Sequence, residues 1–151
     1  MRSDPTEGSP FLRKVLDTYN GRSVDAFDSL LSDDCTLVRD GVEARGREAI
    51  KRVLAQLYRA IPDLEYRIDD AVSSGDKTAI RWEGRGAHRG EYLGVPPTGK
   101  VMSYFGITFF ETRDGRIVRL WVSTNLVERL RNLAEVGQPK RSEPDAPRAP
   151  Y

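Results

Sequence analysis

The chain has one histidine, His88, and imidazole is the side chain whose ordinary pKa lies near neutrality, so any histidine acid–base step must use it. It ends a strand-like run beside a turn-rich stretch, where a pocket mouth is expected; the plainer reading is a strand-end histidine against the Pro96-Pro97 loop. Asp69 and Asp70 adjoin on an alternating segment. Period-two geometry therefore sends one to each face, and Asp70 is the candidate inward carboxylate. Asn125 stands where the last strand gives way to the last helix. An amide cannot take up a proton at neutral pH, but it can hold a carbonyl or enolate by hydrogen bonding, or simply cap the helix. Thr124 is the alternative cap. Arg119 lies mid-strand between Val118 and Leu120. Inward, it would anchor a phenolate or carboxylate; outward, it is an ordinary solvated residue, and Arg81 and Arg85 carry the same two readings.

Aromatic residues supply the walls for such groups. Trp82 shares strand parity with Gly84, Gly86 and His88, and Trp121 with Ser123 and Asn125. Met102, Tyr104, Gly106, Thr108 and Phe110 occupy one face of a long strand, and Val101, Ser103, Phe105, Ile107 and Phe109 the other. One face is expected to line a pocket and the other to pack on a helix or a second subunit. Tyr19, Trp82, Tyr104, Thr108, Phe110, Arg119 and Trp121 are the candidate ligand-binding residues. They suit a planar aromatic molecule better than a sugar phosphate, with core packing as the plain alternative for each aromatic.

The elements that must position these residues follow from periodicity. Phe11, Val15 and Tyr19 recur at helical spacing until Asn20-Gly21. Ser23 can cap a second helix, with Val24, Phe27, Leu30 and Leu31 buried. Cys35 to Arg39 reads as a short strand. Ile50, Val53, Leu54, Leu57, Tyr58 and Ile61 form the stripe of a third helix, which Pro62 ends. Leu64 to Ser73 alternates, Lys77 to Arg89 is a long strand, and Val101 to Thr112 pairs with Ile117 to Thr124 across the turn Arg113-Asp114-Gly115-Arg116. Leu126 to Leu133 closes the domain as a helix. Residues 1–10 are expected to be flexible, residues 11–137 to form one α+β domain, and residues 138–151, with four prolines, to be disordered.

Composition excludes several classes. With 24 basic and 23 acidic residues the net charge is +1, which gives no support for a nucleic-acid or anionic-membrane partner. A single cysteine, Cys35, forbids an intrachain disulfide framework and, with one histidine, a Cys/His zinc site. No run approaches a membrane span, and the N-terminus lacks the apolar core of a signal peptide, so a cytoplasmic location is expected. Phosphate-cradling glycine loops, dinucleotide fingerprints and nucleophile elbows are missing from the sequence.

Gly86-x-His88-x-Gly90, then Gly94-Val95-Pro96-Pro97-Thr98-Gly99, then a strand, Asp114-Gly115-Arg116-Ile117-Val118 and Trp121, together resemble the SnoaL-like polyketide cyclases from about Phe11 to Gly137. The resemblance implies a nuclear-transport-factor-2-like cone, in which a curved antiparallel sheet wraps around helices and encloses an apolar pocket. An aromatic polyketide-like substrate is expected with it; the apolar β5 face, Val101 to Phe109, adds the expectation of a homodimer, and the missing metal-ligand clusters and nucleotide motifs that of no metal or organic cofactor. The family's usual reaction is an intramolecular aldol closure begun by a base. Many relatives carry a catalytic Asp four residues after the Trp, where this chain has Asn125. That departure favours the family's second branch, which hydroxylates anthracycline-type substrates with reducing equivalents from a separate reductase. Aldol closure with His88 as base, and a non-catalytic ligand-binding dimer, are the alternatives.

Overall fold

The computed structural model describes residues 4–135. Helix α1, Pro10–Gly21, begins where Ser9 Oγ accepts the Leu12 N–H at 3.2 Å. Pro10 fills the first turn, where a missing N–H costs nothing. Residues 4–9, expected to be flexible, form a turn fastened to that helix: Asp4 accepts from both Thr6 and Arg13, and Thr6 is buried. The stop signal Asn20 does more than end the helix. Its amide bonds both backbone groups of Tyr66, at 3.0 and 2.7 Å, and so ties α1 to a strand 46 residues on.

The second helix expected from Ser23 is a short 3-10 turn, Val24–Ser29, and Ser23 makes no side-chain cap to it. Leu30 and Leu31 are buried as expected, but Leu31 already belongs to a strand. That strand, β1, runs Leu31–Arg39 and hairpins through Asp40-Gly41 into β2, Val42–Arg45. Helix α2, Arg47–Ala60, buries Ile50, Leu54, Leu57 and Tyr58. Three long strands follow: β3, Glu65–Ser74; β4, Lys77–Ala87; and β5, Val101–Arg113. Then come β6, Arg116–Thr124, and helix α3, Leu126–Glu135.

One curved, open six-stranded sheet results, in the order β2-β1-β6-β5-β4-β3. All pairings are antiparallel except β1 with β6. The β5–β6 hairpin was expected, and its turn residues Asp114 and Gly115 both have positive φ, as a two-residue hairpin of that type requires. Helices α1 and α2 lie on the concave face, and the core sits between them and the sheet. Even-numbered positions of β5 face this core, from Met102 to Phe110; Val101, Phe105 and Ile107 face outward and are exposed. Glycine is required at Gly106, where a Cβ would overlap the Trp82 indole. No helix among the described residues is long and apolar enough to cross a membrane. The segment expected to be disordered, 138–151, lies outside the described residues.

Candidate functional site

Between α1, α2 and the concave face of the sheet lies a cavity that offers about 90 Å³ to the centre of a water-sized sphere. One water needs roughly 10–15 Å³ on that measure, so the space is ligand-sized rather than a packing defect. Its walls are mostly aliphatic and aromatic: Val15, Leu16, Ile50, Val53, Leu54, Leu57, Ile68, Ile80, Phe110 and Leu120 among them.

Of the residues expected to line it, Tyr19, Trp82, Tyr104, Thr108 and Phe110 do. They arrive from different elements. Tyr19 comes from the last turn of α1, Trp82 from β4, and the other three from alternate positions of β5. Tyr66, Trp82 and Tyr104 meet edge to face, with ring centroids 5.2 to 6.2 Å apart, the arrangement that ring quadrupoles favour. Trp82 Nε1 donates to Thr108 Oγ1 at 2.9 Å, so the indole is held in one orientation.

Four expectations are corrected here, and His88 is a fifth. Arg119 and Trp121 are on the outer face of β6, because Leu120, Val122 and Thr124 take the inward positions. Arg119 reaches Glu111 at 3.6 Å, and Trp121 packs on Phe109. Asp70 is exposed, and its Oδ1 accepts the Ala71 N–H at 2.9 Å. A bulge between Ile68 and Asp70 breaks the alternation, so Ile68 packs inward and neither aspartate follows it into the cavity. Asn125 is also outside. Its Oδ1 accepts the Phe105 N–H at 3.0 Å and its carbonyl accepts the Arg129 N–H, so it begins α3 and extends the β5–β6 pairing.

His88 is fully buried but is not part of the cavity wall. The Thr98 N–H donates to its Nδ1 at 3.3 Å, and the Thr98 hydroxyl lies 3.2 Å away. Nδ1 is thus the acceptor and Nε2 carries the proton, without a partner among the described residues. Burial pulls the imidazole pKa below its usual value, with the Gly90 backbone as a smaller opposing cause. The Gly86-x-His88-x-Gly90 run is a splice: Arg89 and Gly90 donate to the Ala60 carbonyl at the end of α2, and Gly99 donates to His88. It holds the Gly90–Lys100 insert against the body.

Three polar residues were missed in the sequence: Tyr66 and Arg39 in the cavity wall, and Tyr92 behind it, against the Arg39 guanidinium. Tyr66 lines the cavity, and its hydroxyl lies 2.8 Å from that of Tyr104. Two hydroxyls share one mutual bond, so one O–H remains to donate elsewhere. Burial pushes both phenols well above the usual tyrosine range, so they act as donors at neutral pH. Arg39, at the end of β1, is the one charged residue in the described lining. Period-two spacing from the buried Cys35 and Leu37 carries the signal. Tyr92 comes from the insert, where Leu93 and Gly94, both at positive φ, turn the chain so that Tyr92 and Val95 bond each other and bury. Neither carboxylate nor imidazole lines the cavity among the described residues. Nor do three His, Cys, Asp or Glu side chains converge among them as a metal site would need.

The sequence profile of the SnoaL-like polyketide cyclases matches residues 10–133. AclR of Streptomyces galilaeus, described as a candidate hydroxylase, superposes with a TM-score of 0.75 at 21% identity, over 88% of this chain and 99% of its own. IdmH of Streptomyces antibioticus, described as a candidate polyketide cyclase, gives 0.71 at 26%, over 87% and 99%. An NTF2-like protein of unknown function from Exiguobacterium gives 0.62 at 28%, over 76% and 97%. No curated protein is similar enough to match.

Proposed function

The chain belongs to the SnoaL-like polyketide cyclase family, and from that premise we propose that it hydroxylates an aromatic, anthracycline-type polyketide in the cavity beneath α1 and α2. The observation that carries this reading is the lining itself: aromatic walls, protonated tyrosine hydroxyls and a guanidinium, with no group among the described lining residues able to act as a base near pH 7. Aldol closure needs a base within reach of an acidic C–H. Oxygenation of an electron-rich, already acidic substrate needs instead a site that orients it and stabilises its anion.

The chemistry balances without a resident cofactor. A separate reductase delivers the substrate as a hydroquinone. Its anion adds to dioxygen at a ring carbon, and loss of water leaves the hydroxylated quinone. One oxygen atom enters the product, the other leaves as water, and the hydroquinone supplies the remaining two electrons. Tyr66 and Tyr104 would donate to the ring oxygen while Trp82 and Phe110 hold the ring plane. The protein would act as a homodimer joined through the outer face of β5 and β6, where Phe105, Ile107 and Trp121 are exposed. The reading is tested by supplying a chemically reduced hydroxyanthraquinone with and without air. Protein-dependent hydroxylation that requires oxygen is expected; protein-dependent ring closure of an open-chain polyketide without oxygen would reject it in favour of a cyclase.

A further inference from the structure

At the end of the cavity nearest the Gly90–Lys100 insert, four groups gather whose arrangement no packing need explains. Arg39 lines the cavity and makes no side-chain hydrogen bond or ion pair with any described residue. Its guanidinium carbon lies 5.9 Å from the centroid of the Tyr92 ring, in cation–π range. Tyr92 is only 3% exposed, and its hydroxyl has no partner among the described residues. Burying a hydroxyl unpaired is costly, so an orphan of this kind marks where a missing partner belongs. Beside them sits the Tyr66–Tyr104 hydroxyl pair, with one O–H uncommitted. Strand registry explains the gathering. Arg39 pairs with Val122 on β6, next to the inward Thr124, and Tyr66 and Tyr104 face each other across Gly84.

Every one of these groups can donate, and no anion among the described lining residues answers them. We propose that Arg39, with Tyr92 and the Tyr66–Tyr104 pair, is an oxyanion-recognition site, and that it selects ligands whose planar ring system carries an ionised oxygen, such as a hydroxyquinone enolate. A neutral polycycle would fill the apolar part of the cavity and leave Arg39 unanswered. The inference rests on the aromatic-pocket reading above and adds the charge state of the ligand and the residue that reads it. Arg39 offers a planar fork of donors at a fixed charge, so a Lys in its place keeps the charge and loses the fork.

Binding without turnover separates the two readings. The full-length protein is titrated at pH 7.5 with 2-hydroxy-1,4-naphthoquinone, which is ionised there, and with its methyl ether, which cannot ionise. Wild type is expected to bind the hydroxyquinone about 10- to 100-fold tighter than the ether, the range for a hydrogen bond to a charged group. Arg39→Gln should bring the two affinities to within about twofold of each other. Arg39→Lys should recover part of the preference, and Tyr92→Phe should lose part of it. The preference is a ratio, so a general loss of folding does not imitate its collapse. Equal affinities in wild type, or a preference that survives Arg39→Gln, overturn the oxyanion site while the pocket stands. Failure of wild type to bind either probe overturns both.

Discussion

At Asn125 the amide oxygen accepts the Phe105 N–H, and the side chain is spent on the sheet rather than on a ligand. A carboxylate oxygen can accept the same bond. Asn125→Asp is therefore expected to leave ligand affinity unchanged, whereas Asn125→Ala should cost about 0.5–1.5 kcal/mol of stability, the worth of one such bond. Urea denaturation and probe titration check the pair; a large loss of binding in Asn125→Asp would return this residue to the cavity. His88 makes a pH prediction. Its folded-state pKa is lowered, because burial disfavours the imidazolium. Above the unfolded value of about 6.5 both states are neutral and His88 contributes no pH dependence. As pH falls below it, the unfolded chain takes up a proton that the folded chain refuses, so stability declines until the folded pKa is reached. Asp4 and Asp28, held below the usual carboxylate range, titrate lower still. Urea midpoints between pH 5 and 8 should thus fall with acidity in wild type and flatten in His88→Asn; parallel profiles would contradict this. The sequence made His88 conspicuous by its rarity, but its partners Thr98, Gly99 and Lys100 meet it only in the folded splice.

At the scale of the element, alternation was legible on β4 and β5 and misled on β3 and β6. Trp82, Tyr104, Thr108 and Phe110, candidates whose face the sequence left unassigned, share the inward face because those two strands pair without interruption from Lys77 to Ala87. On β3 the bulge after Ile68 shifts the phase by one, and nothing in the residue types of Asp69-Asp70 announces it. On β6 the mixed composition of both faces leaves parity undecided, and register with β5 settles it: Trp121 pairs with the outward Phe109. Arg39 was readable in principle, two positions beyond Leu37, but the Asp40-Gly41 turn beside it reads as solvent. Gly106 ties this scale to the site. A methyl there would displace the Trp82 ring that walls the cavity. Gly106→Ala is expected to cost about 1–3 kcal/mol, as overpacked cores do, and to weaken binding of both naphthoquinones together. Calorimetry and the same titration test it; unchanged stability with unchanged binding would mean that the indole has another place to go.

For the whole molecule, the α+β cone was legible as an order of elements, and the motifs of the insert and the last hairpin added the family. The odd-numbered face of β5 was legible as apolar too, but the single sequence did not say whether a helix or a second subunit should cover it. Phe105 and Ile107 are 61% and 54% exposed, with Val101 and Trp121 beside them, and no described element covers them. Such a patch favours association. Sedimentation of wild type at micromolar concentration should give a dimer, and Phe105→Glu with Ile107→Glu should give a folded monomer; a monomeric wild type would remove the proposed interface. Inside the cone, donors without a base in the described lining suit the proposed attack of a held anion on dioxygen. The most direct test supplies ¹⁸O-labelled dioxygen with a chemically reduced hydroxyanthraquinone and follows product mass. The account predicts one labelled oxygen per product molecule, formed only in the presence of the protein and of oxygen. An unlabelled product, formed equally well under nitrogen, would contradict it.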